Sequence, residues 1–214
     1  MAKHLVFDVE KLHDICDDVN PIDAQQTVKE LTAKLNKYKD LYALSAPQIG
    51  IKERVICIKF NDGVIKEYIN PMVLESEGVH LVRERDISIP EKEFICPRPN
   101  KIHVRYQLSS AKPEENILKG VVAEVFDRMM QYLQGVTLED FGLEIIEGFD
   151  NATKKEQQEI ISMYLESLKK REEILNDNIE HDKDAKELRD AIRFMEAVDK
   201  GEVQFDTSTI KEKK

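Results

Sequence analysis

This chain of 214 residues has no tryptophan, few cysteines, no excess of positive charge and no long hydrophobic run. No apolar stretch approaches the roughly 18 residues needed to cross a membrane, so no membrane-spanning helix and no membrane partner are expected. The opening Met-Ala-Lys-His-Leu-Val-Phe is interrupted by Asp8 and reads as no secretory signal peptide. Cys16, Cys57 and Cys96 are odd in number and widely spaced, which suits neither a disulfide framework nor a metal cluster. Three reduced thiols in a cytoplasmic-type compartment is the expected state. Lys and Arg number 32 against 42 Asp and Glu, a net charge of −10 that argues against work on nucleic-acid phosphates or anionic lipid. Internal repeats and low-complexity segments are also missing.

What is present is enough for one sizeable core and a small second domain. Apolar residues make up 41% of the chain, too many for general disorder. Asn20-Pro21 has the form of a helix start, with Val28, Leu31 and Leu35 at helical spacing up to about Lys39. Arg54–Phe60 reads as a strand, Asn61-Asp-Gly63 as a hairpin turn and Val64–Ile69 as the returning strand, ended by Asn70-Pro71. Leu74–Val82 and Lys101–Gln107 supply further short strands. From about Glu115 to Leu133 the apolar positions Leu118, Val121, Val122, Val125, Met129 and Leu133 predict a second helix, stopped by Gly135. The fold class is therefore α+β, with a first domain over 1–148.

The last third changes character. Thr153-Lys-Lys-Glu156 has the spacing of a capping box that opens a charged helix carrying Ile161, Leu165, Leu168 and Leu175. A break near His181–Asp184 precedes a second helix with Leu188, Ile192 and Met195. The two predict an αα-hairpin over 149–200, followed by a polar tail over 201–214. The apolar stripe through those seven residues either packs on its own domain or docks a partner helix, self-association included.

Three segments carry a family resemblance. They are Leu41-Tyr-Ala-Leu-Ser-Ala-Pro-Gln-Ile-Gly50, Glu84-Arg-Asp-Ile-Ser-Ile-Pro90 and Arg128-Met-Met-Gln-Tyr-Leu-Gln-Gly135. In order and spacing they resemble the G-x-G-L-A-A-P-Q-x-G, E-G-C-L-S-x-P and H-E-x-D-H-L-x-G signatures of peptide deformylases. Ile49–Val55, Tyr68-Ile-Asn-Pro71 and Arg98–Val104 extend the likeness over roughly residues 5–142. The resemblance implies a peptide-deformylase-like domain of short antiparallel strands around a central helix. In that family the second-motif Cys and two third-motif His bind a divalent metal, and the third-motif Glu acts as acid and base. The metal brings a bound water's pKa from about 15.7 to about 7, giving hydroxide at neutral pH.

Here Asp86 stands at the Cys position, Arg128 and Tyr132 at the two His positions, Met129 at the Glu and Gln131 at the supporting Asp. A permanent cation repels a divalent metal, and a thioether accepts no proton at neutral pH. The deformylase reaction is expected to be lost, with no catalytic residue, metal or cofactor. A remnant pocket is expected from Gln48, Arg85, Asp86, Ile87, Arg128, Met129 and Tyr132. Gln48 matches a substrate-binding amide, or simply braces its loop, and Ile87 matches the residue whose backbone N–H faces the oxyanion. Arg85, Leu41 and Ala43 replace family glycines and should narrow the cleft. Asp86 and Arg128 are expected to form an ion pair that fills the vacated metal site.

These readings together suggest a pseudoenzyme: a deformylase-like scaffold whose hairpin binds a protein partner. Divergent deformylase-like proteins occur in bacteriophages, and the acidic, Lys/Ile/Asp-rich style suits one. A tail-baseplate hub or morphogenesis component, in host cytoplasm or virion, is the expected form. The alternatives are a soluble regulatory binder of peptide N-termini or ribosomes through the remnant cleft, and a hydrolase with rebuilt chemistry.

Overall fold

Val55-Ile-Cys-Ile-Lys59 is short, apolar and rich in β-branched residues, and it forms strand β2 with both faces covered. Ile56 and Ile58 join one core cluster while Val55 and Cys57 join another, as the period of two requires. The structure, a computed structural model, describes residues 5–176, with side chains as far as residue 168. The strands are β1 (Ala43–Ser45), β2 (Val55–Lys59), β3 (Ile65–Asp86), β4 (Ile89–Gln107), β5 (Pro113–Lys119) and β6 (Leu143–Glu144). Their order is β1-β2-β3-β4-β5, with β6 pairing β4. The helices are α1 (Gln25–Lys37), α2 (Val121–Leu133), α3 (Leu138–Phe141) and α4 (Lys154–Asn176).

The chain divides into two compact units, and the division is not a simple cut near residue 148. The first comprises Met1–Glu77, Asp86–Glu91 and Pro99–Asp140. In it α1 contributes Leu31 and Leu35 to a cluster with Leu44, Val55, Cys57 and Ile69. α2 contributes Phe126, Met129, Met130, Tyr132 and Leu133 to a cluster with Ile56, Tyr68, Ile102, Val104 and Leu118. The central helix of the expected fold is thus α2.

Three boundaries differ from expectation. α1 begins at Gln25, because Asn20 closes a turn instead: its side-chain oxygen accepts the Ile22 N–H and its carbonyl accepts from Asp23 and Ala24. Asn70-Pro71 does not end its strand. Asn70 takes φ +48° and ties its amide to both the N–H and C=O of Val19, and β3 runs on. The predicted helix from Glu115 is two elements. Glu114–Lys119 pair with β4, Gly120 turns the chain at φ +55°, and α2 starts at Val121. Leu118 fits the helical stripe by spacing but is buried from a strand. The hairpin turn at Asn61-Asp-Gly63 and the stop at Gly135 (φ +74°) are where the sequence puts them.

The second unit takes Gly78–Arg85, Lys92–Arg98 and the chain from Phe141. Ile95, Phe149 and Ile161 centre its core, with Leu81, Leu143, Ile145, Ile160 and Leu165 packed around them. The capping box is formed: Thr153 N–H and Oγ1 both reach Glu156 Oε2, and Glu156 N–H reaches Thr153 Oγ1. Of the two roles left open for the stripe, packing is the one seen in its described part. Ile161 and Leu168 are buried at 1% and 3% exposure and Leu165 is half-buried, with Ile161 and Leu165 in the core of this unit. Leu175 lies in α4 beyond the described side chains. Leu188, Ile192 and Met195, the break near His181 and the tail over 201–214 fall outside the described residues.

Candidate functional site

Ser45-Ala-Pro-Gln48 builds the first wall of the site. The 3-10 turn Ala46–Ile49 is held by a reciprocal capping box in which Gln48 Oε1 accepts from Ser45 N–H and Ser45 Oγ. Pro47 presets the first turn, and Gly50 ends it at φ +72°. Every residue of the turn is buried, and Gln48 has no exposed surface. Its remaining polar atom, Nε2, points to the second wall. It donates to Asp86 Oδ1 at 3.1 Å and to Ser88 Oγ at 3.3 Å.

The second wall is the two-residue turn Ile87-Ser88 between β3 and β4. Asp86 makes that turn with its own side chain, Oδ1 accepting the Ser88 N–H at 2.8 Å. Its second oxygen, Oδ2, faces the third wall, α2, where Arg128 Nε stands 3.6 Å away. The Asp86 side chain is 3% exposed and the Arg128 side chain 16%, so water screens this ion pair poorly. Met129 and Tyr132 are each 1% exposed and belong to the hydrophobic core of the first unit.

The structure therefore brings Gln48, Asp86 and Arg128 to one place and adds Ser45 and Ser88, while Met129 and Tyr132, on the same helix as Arg128, join the hydrophobic core. Ser45 was legible as the first member of an S-x-x-Q capping box. Ser88 gave no sequence signal beyond its place in the second motif. Ile87 is half-buried in the turn. Arg85 is a correction. It does not narrow a cleft: its side chain is 73% exposed and pairs with Glu93, Nε to Oε1 at 3.1 Å. Of the other two glycine replacements, Ala43 is buried in β1 and Leu41 packs against the α1-side core. Glu84 and Arg98 form a bidentate buried pair within the second unit, at 3.0 and 2.8 Å, with Arg98 fully buried.

Outside these walls several titratable groups are paired or buried. His103 faces Glu115 at 3.2 Å, and Arg105 first and His103 second hold the Glu115 carboxyl below its ordinary range. His13 faces Asp140 at 3.3 Å. All three cysteines are buried and free. Among the described residues no group of three His, Cys, Asp or Glu is placed to hold a metal ion. A cavity of about 380 Å³ lies elsewhere, lined by Val28, Cys57, Ile65, Glu67, Tyr106 and Glu114 among others.

The polypeptide deformylase family model matches residues 1–141. This chain belongs to that family. It is 31% identical over 117 residues to the peptide deformylase of Thermotoga petrophila, covering 54% of this chain and 70% of that one. The crystal structure of the Thermotoga maritima peptide deformylase aligns with a TM-score of 0.60 and 26% identity, over 65% of this chain and 97% of that one. The deformylase of the Vibrio parahaemolyticus bacteriophage VP16T, solved in complex with actinonin, aligns with a TM-score of 0.58 and 26% identity, over 63% and 98%. The deformylase fold is shown for the part of this chain that they cover.

The metal that the deformylase family implies can be tested against the side chains at its place. Asp86 supplies one carboxylate, already bonded to Ser88 N–H and Gln48 Nε2 and faced by a guanidinium. Arg128 supplies a fixed cation, Met129 a thioether sunk in core, and Tyr132 a buried phenol. This donor set does not fit a divalent cation.

Proposed function

We propose that this chain uses the deformylase fold as a catalytically inactive scaffold, a structural or assembly protein that binds a protein partner. The observation that carries the reading is the Asp86–Arg128 approach at the place of the metal. Formyl hydrolysis needs a hydroxide made at neutral pH and a base beside it. Asp86 is committed to its neighbours, Arg128 repels a cation, and Met129 is no base. Gln48 spends its amide on Asp86 and Ser88 and its carbonyl on Ser45, which leaves it poorly suited to a substrate carbonyl. That same commitment weighs against a binder of peptide N-termini or ribosomes through the remnant cleft, and against rebuilt hydrolysis.

The setting we propose is a phage, and the form a tail-baseplate hub or morphogenesis component. A phage-encoded deformylase of the same fold supports the setting. The specific assembly role is proposed by analogy of style. Two measurements test the reading. Full-length protein incubated with Fe²⁺, Ni²⁺, Co²⁺ or Zn²⁺ should release no formate from an N-formyl-methionyl peptide, and metal-dependent turnover would overturn it. Crosslinked capture of the full chain from its native context should recover a stoichiometric structural assembly. Recovery of ribosomes and nascent chains instead would favour the regulatory binder.

A further inference from the structure

We infer that Asp86 has taken over the mechanical task of the family's metal and clamps three segments of the first unit together. The inference rests on the proposed reading of the site as one that holds no metal. A metal bound by the second and third motifs links a strand turn to a helix, whatever its chemistry. In this chain one carboxylate does more. Asp86 Oδ1 accepts from Ser88 N–H at 2.8 Å, which fixes the turn between β3 and β4, and from Gln48 Nε2 at 3.1 Å, which anchors the Ala46–Ile49 turn. Asp86 Oδ2 faces Arg128 Nε of α2 at 3.6 Å. Gln48 Nε2 also reaches Ser88 Oγ at 3.3 Å, so two of the walls are bonded twice.

The three contacts differ in kind, and that makes them separable. The two at Oδ1 are hydrogen bonds by distance. The third, at 3.6 Å, is too long for one and works through charge. With the Asp86 side chain 3% exposed and Arg128 16%, water screens the pair poorly, and its loss should be felt in folding. Gln48 and Ser88, at 0% and 2% exposure, close the carboxylate off from water on the other side. The pair is therefore expected to couple folding energetics between the hairpin turn and α2, as a metal would, without requiring one.

The test is a double-mutant cycle read by urea unfolding of the full-length protein. Asp86→Asn keeps an oxygen for Ser88 and Gln48 and removes the charge; Arg128→Met removes the cation at similar length. Each single change should lower the folding equilibrium constant on the order of tenfold, and the double variant should lie within about threefold of the worse single. Multiplying effects would overturn the clamp. Should Arg128→Met not fold, Arg128→Lys takes its place, and a loss below about threefold is then expected because the cation persists. A loss as large as tenfold would overturn the charge-based clamp. On the unmodified protein, Ni²⁺, Zn²⁺ or Fe²⁺ should not raise the melting temperature; a saturable rise of several degrees would mean the site holds metal. Multiplying effects would leave the inactive-scaffold reading standing, whereas formate release would sink that reading whatever the cycle gives.

Discussion

Cys57 shows how far burial alone sets the chemistry of a side chain here. It has no exposed surface, and burial is the main cause that pushes its thiol from an ordinary 9.0 up to about 12; Glu67 adds to the rise and a hydrogen bond from Thr32 opposes it. Cys16 is raised to about 11 for the same leading reason. The neutral thiol is thus favoured in the folded state, while the unfolded chain ionises above about pH 9. Stability from Cys57 is fully present below that pH and is lost as pH climbs toward 12. At pH 10 the loss from this one group is expected to be on the order of 1 kcal/mol. Urea midpoints of the parent and a Cys57→Ala variant at pH 8 and pH 10 check it: the parent should lose more, and an equal loss in both would refute the assignment. Iodoacetamide at pH 8 should leave Cys57 unmodified in the folded protein, because the thiolate is the nucleophile. Gly135 is the opposite case, a residue that matters for having no side chain. At φ +74° an added Cβ would lie 2.4 Å from the His13 carbonyl oxygen.

At the scale of elements, local punctuation was legible and strand continuation was not. The helix start at Thr153, the turn at Asn61-Asp-Gly63 and the stop at Gly135 each follow from side-chain or backbone chemistry within a few residues. The start of α2 was misread because Leu118 sits at helical spacing from Val121 and Val122, and a short apolar run does not distinguish the two periods. Gly120 was the available signal. Asn70-Pro71 looked like a strand end because proline cannot donate, yet its neighbours keep the ladder and Asn70 is held by Val19 from far along the chain. Asp86 and Arg128, read from the second and third motifs, do approach to 3.6 Å, whereas Arg85, expected in the pocket, pairs with an acid eight residues further on. The Thr153–Glu156 box gives a test at this scale. Hydrogen bonds from Thr153 hold the Glu156 carboxyl below its ordinary range. Thr153→Ala should speed amide exchange in the first turn of α4 about fivefold and leave α2 unchanged. Unaltered exchange in that turn would show the cap to be dispensable.

For the whole molecule, the family explains about two-thirds of the chain, and the structure changes how the rest must be handled. A helical hairpin that merely follows a complete domain could be cut off without harm. α4 is not of that kind as far as its side chains are described. Ile161 and Leu165 close a core over Leu81, Ile95 and Phe149, so the second unit draws its apolar surface from the β3–β4 strands as well as from the C-terminal third. Tyr164 adds a hydrogen bond from its hydroxyl to the Phe141 carbonyl at 2.6 Å. A chain ending after Asp150 would leave Leu81, Ile95 and Phe149 without those covers, and a search for partners using it would report adhesion of bare core. Such a chain should bind a hydrophobic dye and lose solubility, whereas the single change Ile161→Ala should cost about 2–4 kcal/mol and leave the protein soluble. Dye binding and urea unfolding of the two variants decide the matter. A truncated chain as soluble and dye-silent as the parent would mean that α4 is dispensable to this core, and the helix would again be free to serve a partner.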